Sequence, residues 1–96
     1  MIKVFVSHEF SKDPITNKAK VDKLCCDILG EGYLPISPIH LFSFIKNENQ
    51  REEIIKMCFK LIELCDEVWV YGESEGCILE KEYALKINKK VMLKKV

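Results

Sequence analysis

Glu67-Val68-Trp69-Val70-Tyr71-Gly72-Glu73-Ser74-Glu75-Gly76-Cys77-Ile78-Leu79-Glu80-Lys81-Glu82-Tyr83-Ala84 reads as a strand, a tight loop and a helix. The run up to Tyr71 is apolar enough for a buried strand. Gly72 and Gly76 bracket a loop where backbone can approach a ligand closely. Ser74 is a good N-cap, followed by Glu75. A helix start offers free N–H groups and partial positive charge, which suits a phosphate or carboxylate. On a 3.6-residue period Glu80 shares a face with Tyr83, Ala84 and Ile87, the face expected to pack on a sheet. A carboxylate there is expensive to bury without a partner. It either pairs with a lysine or caps a loop, or it is a working group of a site. The helix dipole is expected to help keep it ionised.

Upstream, Ile2 to Ser7 is a short strand rich in β-branched residues. His8 to Thr16 is a polar loop with Asp13-Pro14 as its turn signal. A helix is predicted from Thr16 to Leu29, with Val21, Leu24, Cys25 and Ile28 as its buried stripe and Gly30 and Gly32 as its stop. Tyr33 to Ile36 is a second strand, at a sheet edge because Pro35 cannot donate to a ladder. Ser37 to Asn49 reads as an apolar loop, used as a lid or a subunit contact. A helix from about Gln50 to Leu64 buries Ile54, Cys58, Leu61, Ile62 and Cys65. After the quoted segment, whose helix runs from Glu75 to Ile87, Lys90 to Lys95 forms the last strand.

Strands and helices thus alternate as β-α-β-α-β-α-β. The expected fold class is α/β: a three-layer, Rossmann-like (flavodoxin-type) four-stranded parallel sheet, order 2-1-3-4, with helices on both faces and right-handed crossovers. Residues 1–96 form a single domain. Ligands in such sheets bind at the carboxyl ends of the strands, at the switch point. Here that is between the first and third strands, where Ser7 to Ser11 and Gly72 to Gly76 lie. Topology therefore leads back to the opening segment.

Composition narrows the function classes. Ninety-six residues, 48% hydrophobic and 31% charged with zero formal net charge, give no bulk drive towards nucleic acid or anionic membrane. No run approaches the roughly 18 apolar residues of a membrane span, and Met1 leads straight into a strand rather than a signal peptide. A core this small, burying roughly 60–65% of the unfolded surface, favours a homo-oligomer. Cys25, Cys26, Cys58, Cys65 and Cys77 are odd in number and lack a Cys-x-x-Cys pair, which reads as reduced thiols in a cytoplasmic protein. No Walker loop, Gly-x-Gly-x-x-Gly, zinc cluster or Gly-x-Ser-x-Gly occurs, so no metal or cofactor is expected.

Ser74, Gly76, Glu80, Tyr83 and Ala84 spell Ser-x-Gly-x-x-x-Glu-x-x-Tyr-Ala. After an apolar strand this resembles the nucleoside 2-deoxyribosyltransferase-like superfamily. Its small bacterial and phage members carry Cys-Asp-x-x-Trp-Val-x-Gly before Ser-Glu-Gly, and Cys65 to Gly76 reads that way. The resemblance implies that Glu80 is a nucleophile and that Ser74 contacts a 5′-phosphate. Gly76 matches a family glycine. Close members have Ala-Gly-Pro-Tyr where this chain has Ser7-His8-Glu9-Phe10, so its ligand preference is expected to depart from the family's. Their Pro-His pair is matched by Pro38 and His40, one residue wider.

On this reading Glu80 is catalytic and Ser7, His8, Glu9, Phe10, His40, Gly72, Ser74, Glu75 and Gly76 bind the ligand. The partner is a nucleoside or nucleotide, not a nucleic acid polymer. The carboxylate attacks C1′ as the base leaves, in N-glycosidase or deoxyribosyl-transfer chemistry, with Glu9 or His8 placed to protonate the leaving group. The competing reading is a non-catalytic nucleotide binder, for example a phage sponge for an ADP-ribose-derived or cyclic nucleotide immune signal. The resemblance implies a C-terminal extension that completes a neighbour's pocket in family enzymes, and this chain is expected to be without it. Val4-Phe5-Val6-Ser7-His8 also suggests a Toll/interleukin-receptor-like interaction domain, but Trp69 to Ala84 does not match that pattern.

Overall fold

The computed structural model describes residues 1–46 and 48–95. The elements run β1 (Lys3–Ser7), α1 (Pro14–Gly30), β2 (Leu34–Ile36), α2 (Pro38–Leu41), a 3-10 turn (Glu48–Gln50), α3 (Arg51–Leu64), β3 (Glu67–Val70), α4 (Glu75–Lys86) and β4 (Lys90–Leu93). All three strand pairings are parallel, in the order β2-β1-β3-β4. The expected α/β architecture is therefore the observed one.

Alternation along β1 and β3 sorts their side chains onto two faces. Phe5, Val68 and Val70 join Cys58 and Ile62 of α3 and Cys77 and Ala84 of α4 in one core layer. Val4, Val6 and Trp69 join Val21 and Ile28 of α1 in the other. Ser7 has the parity of Phe5, which puts it on the α3–α4 side. Both strands are buried on both faces, as the central strands of a parallel sheet should be. Each apolar side chain fully buried here contributes roughly 1.5–3 kcal/mol before entropy is counted.

Caps set the helix starts. The Asp13 carboxylate accepts from Thr16 N at 3.3 Å, and Pro14 fills the first helical position. This starts α1 two residues before the expected Thr16. At its other end Gly32 takes φ +93°, the left-handed turn glycine permits, and Tyr33 N bonds back to Ile28 O.

The predicted loop from Ser37 to Asn49 is not structureless. Ser37 Oγ caps a short helix, accepting from His40 N at 3.3 Å, and a 3-10 turn precedes α3. Pro38 at the first helical position, with its preset φ, and the serine before it form a helix-start signal that the apolar content hid. Asn47, inside that predicted loop, lies outside the described residues.

All five cysteines are free thiols; Cys58, Cys65 and Cys77 are buried as small core residues. Glu67 is buried too, its carboxylate accepting from Trp69 Nε1 at 3.0 Å. Trp69 also meets Tyr33 edge-on, and the Lys94 ammonium stands 4.0 Å from its ring.

Candidate functional site

β1 and β3 end side by side. Ser7 is in register with Val70, and Ser7 O accepts from Tyr71 N at 2.8 Å. This pairing brings the loop after β1 next to the loop that leads into α4. Ser74 starts that helix, with Oγ accepting from Cys77 N at 3.3 Å. Its hydroxyl proton stays available to a ligand. Gly72 and Gly76 have ordinary backbone angles. A Cβ on Gly76 would meet nothing within 4 Å, and one on Gly72 only the Cys77 sulfur at 3.8 Å. The two glycines leave space at the helix start rather than relieve strain.

Glu80 lies one and a half turns into α4. Its Oε1 accepts from Ser7 Oγ at 2.6 Å, a bond that spans 73 residues of sequence. The Cys58 thiol of α3 lies against the same carboxylate as a weaker donor. Neither a lysine nor a loop cap pairs with it among the described residues. Burial pushes the Glu80 carboxyl up to about 7, against the opposing effect of the Ser7 and Cys58 bonds. The expectation that the helix dipole would hold it ionised is corrected. Six residues past the N-cap, the dipole field has faded and desolvation decides. Cys58 is in turn pushed well above the usual thiol range, first by its own burial and then by the adjacent carboxylate. It is an inert thiol, not a nucleophile.

The remaining expected residues divide. His8 and Glu9 are half-buried beside Ser7, with His8 Nδ1 2.7 Å from Glu9 O. Phe10 is more exposed, and its carbonyl accepts from the buried Asn17 amide at 3.2 Å, which ties the loop to α1. Glu75 sits in the first turn of α4 and pairs with Arg51 of α3 at 3.7 Å. His40 is engaged structurally, its Nδ1 2.7 Å from Ser37 Oγ and its Nε2 bonded to the Asp22 carboxylate of α1. That chain locks α2 onto α1.

Sequence reasoning did not anticipate three features. Ser7 bonds Glu80 directly, Cys58 flanks the same carboxylate, and Arg51 reaches the start of α4. The first was findable from the shared parity of Ser7 and Phe5. The others depend on how α3 packs on α4.

The larger surface concavity, about 640 Å³, is lined by Phe44, Ile45, Lys46, Gln50, Glu53 and Met57, away from Glu80. A smaller one of about 160 Å³ lies against the Gly72 loop and includes Cys77, Lys81 and Lys94. Neither concavity is lined by Glu80, so the candidate site is read from the chemistry of its residues. Among the described residues no group of His, Cys, Asp and Glu could hold a metal ion, and no helix is long and apolar enough to cross a membrane.

A family described as "Domain of unknown function (DUF7768)" matches residues 2–94, and the chain belongs to it. No curated protein matches the sequence. Among solved structures, the 2-desoxiribosyltransferase from Leishmania mexicana is similar at a TM-score of 0.74 and 14% identity. The match covers 99% of this chain and 65% of that one, so the chain spans just under two thirds of that enzyme's length. The Clostridium botulinum CMP N-glycosidase BcmB is similar at a TM-score of 0.66 and 17% identity, over 97% of this chain and 71% of that one. At these identities the likeness is one of fold.

Proposed function

We propose that this DUF7768 member binds a nucleoside or nucleotide at the carboxyl end of its sheet and acts on the N-glycosidic bond, with Glu80 as nucleophile. The observation that carries the reading is the Glu80 carboxylate itself. It is recessed behind the start of α4, held by a serine hydroxyl from a neighbouring strand, and raised to about 7 by burial. The fold supports it, because a 2-desoxiribosyltransferase and a CMP N-glycosidase share it.

In the reaction, an ionised Glu80 oxygen attacks C1′ of the sugar. The O–C1′ bond forms as the C1′–N bond breaks, and the bonding pair leaves on the base nitrogen. A proton reaches that nitrogen from Glu9, His8 or water. Water then cleaves the glycosyl ester, giving free sugar and restoring the carboxylate; a second base at that step gives transfer instead. The Ser74 hydroxyl, the free amides of the first α4 turn and the space beside Gly76 hold a 5′-phosphate. Arg51, which pairs with Glu75 in the first turn of α4, would join them by leaving Glu75.

The alternative is a non-catalytic binder of a nucleotide signal. It is favoured by the Ser7-His8-Glu9-Phe10 loop, which departs from the Ala-Gly-Pro-Tyr of the resembled family. Incubation with deoxynucleoside monophosphates and with ADP-ribose-type nucleotides, followed by chromatography, separates the two. Free base is expected from at least one of them. Intact ligand recovered after denaturing the protein would support the binder.

A further inference from the structure

We propose that Ser7 is a positioning residue that selects the reacting oxygen of Glu80, holding Oε1 so that Oε2 is the one that meets the sugar. The inference rests on the reading of Glu80 as a nucleophile. Its basis is geometric. Ser7 is fully buried, its backbone carbonyl is fixed to Tyr71 N, and its hydroxyl lies 2.6 Å from Oε1. The hydroxyl has no freedom to follow a ligand, so the expected ligand contact at Ser7 becomes a contact to the carboxylate.

A half-buried carboxylate with one oxygen held by a buried hydroxyl is oriented as well as stabilised. A charge-assisted hydrogen bond is short and about twice as strong as a neutral one. Cys58, walled into the α3 side, restricts the same group from another element. Rotation about the last side-chain torsion, otherwise broad and roughly two-fold, is thereby reduced to one state. Removing that freedom before the reaction is what orientation contributes to a displacement at carbon. The Ser7 proton stays on Ser7 throughout. When Oε2 forms the ester bond, Oε1 becomes the carbonyl oxygen and keeps the same donor.

The consequences of losing Ser7 separate positioning from packing. The hydroxyl favours the ionised carboxylate, so Ser7→Ala should raise the midpoint at which Glu80 titrates. Hydrogen bonds to charged groups imply a shift of about one to two pH units. Ser7→Cys keeps the volume and a weaker donor and should fall between. In turnover, Ser7→Ala should lower kcat more at pH 6 than at pH 9 and leave KM nearly unchanged, because the phosphate is held elsewhere. A purely structural Ser7 would lower both pH regimes alike.

The test is a carboxyl ¹³C NMR titration of Glu80 in wild type, Ser7→Ala and Ser7→Cys, with base release measured on the same samples. The expected result is a midpoint that rises in the order wild type, Cys, Ala, with the acidic limb of the rate profile moving alongside. A Glu80 midpoint unmoved in folded Ser7→Ala overturns the inference whatever the activity. A shifted midpoint in a protein that releases no base from any nucleotide refutes the proposed reaction instead, and with it the choice of oxygen.

Discussion

Replacing Glu80 with glutamine removes a charge that burial disfavours, while keeping an oxygen for the Ser7 hydroxyl to bond. Its effect on stability should therefore depend on pH. The folded protein holds the Glu80 proton up to about pH 7, whereas the unfolded chain releases it near the ordinary 4.5. Between those values the folded state binds more protons, and wild-type stability falls as pH rises. Glu80→Gln does not titrate. It should match wild type below about pH 4.5 and gain through the window, by roughly 3 kcal/mol above pH 8. Urea denaturation at pH 4.5, 6 and 8 measures this, and a gap that stays constant across the three would contradict it. The position of Glu80 on the packing face was legible from its spacing to Tyr83, Ala84 and Ile87. Its titration was not, because that depends first on burial under elements distant in sequence, and then on the opposing bonds from Ser7 and Cys58.

On the proposed reading, binding turns on the start of α4. Ser74 is both its N-cap and the expected phosphate contact, so Ser74→Ala should have two effects. Loss of the cap costs about 1 kcal/mol of stability. Ligand affinity should weaken with less effect on turnover of bound substrate. Gly76→Ala isolates the second role. A Cβ there meets nothing in the protein, and alanine favours a helix over glycine by roughly 1 kcal/mol. The variant should fold at least as stably as wild type and still bind a nucleoside monophosphate more weakly, by calorimetry. Unchanged affinity would move the phosphate away from this helix start. The strand-loop-helix was readable here because Ser74 and the apolar run before it are local signals. The short helix α2 was missed because its cap and proline sit among apolar residues that read as a lid.

Across the whole molecule, strict β-α alternation carried the sheet order, since a parallel sheet follows from few other arrangements. What alternation does not carry is how the outer surface is completed. Phe42 and Ile45 pack partly inward, but Phe44 is 72% exposed beside Ile45 and Met57. With a core this small, we expect that surface to be covered by a second copy in solution. Light scattering should give a mass above 11.2 kDa for wild type and a smaller one for Phe44→Lys. A wild-type monomer would contradict the assembly without touching the site.

Base release tests the role of Glu80 most directly. Wild-type protein incubated with deoxynucleoside monophosphates and ADP-ribose-type nucleotides should liberate free base, with kcat/KM rising towards a plateau through a midpoint near pH 7 as Glu80 ionises. Glu80→Gln, folded and still binding the same nucleotide, should lose several orders of magnitude in rate. Base release at the wild-type rate in Glu80→Gln would contradict the assignment of Glu80.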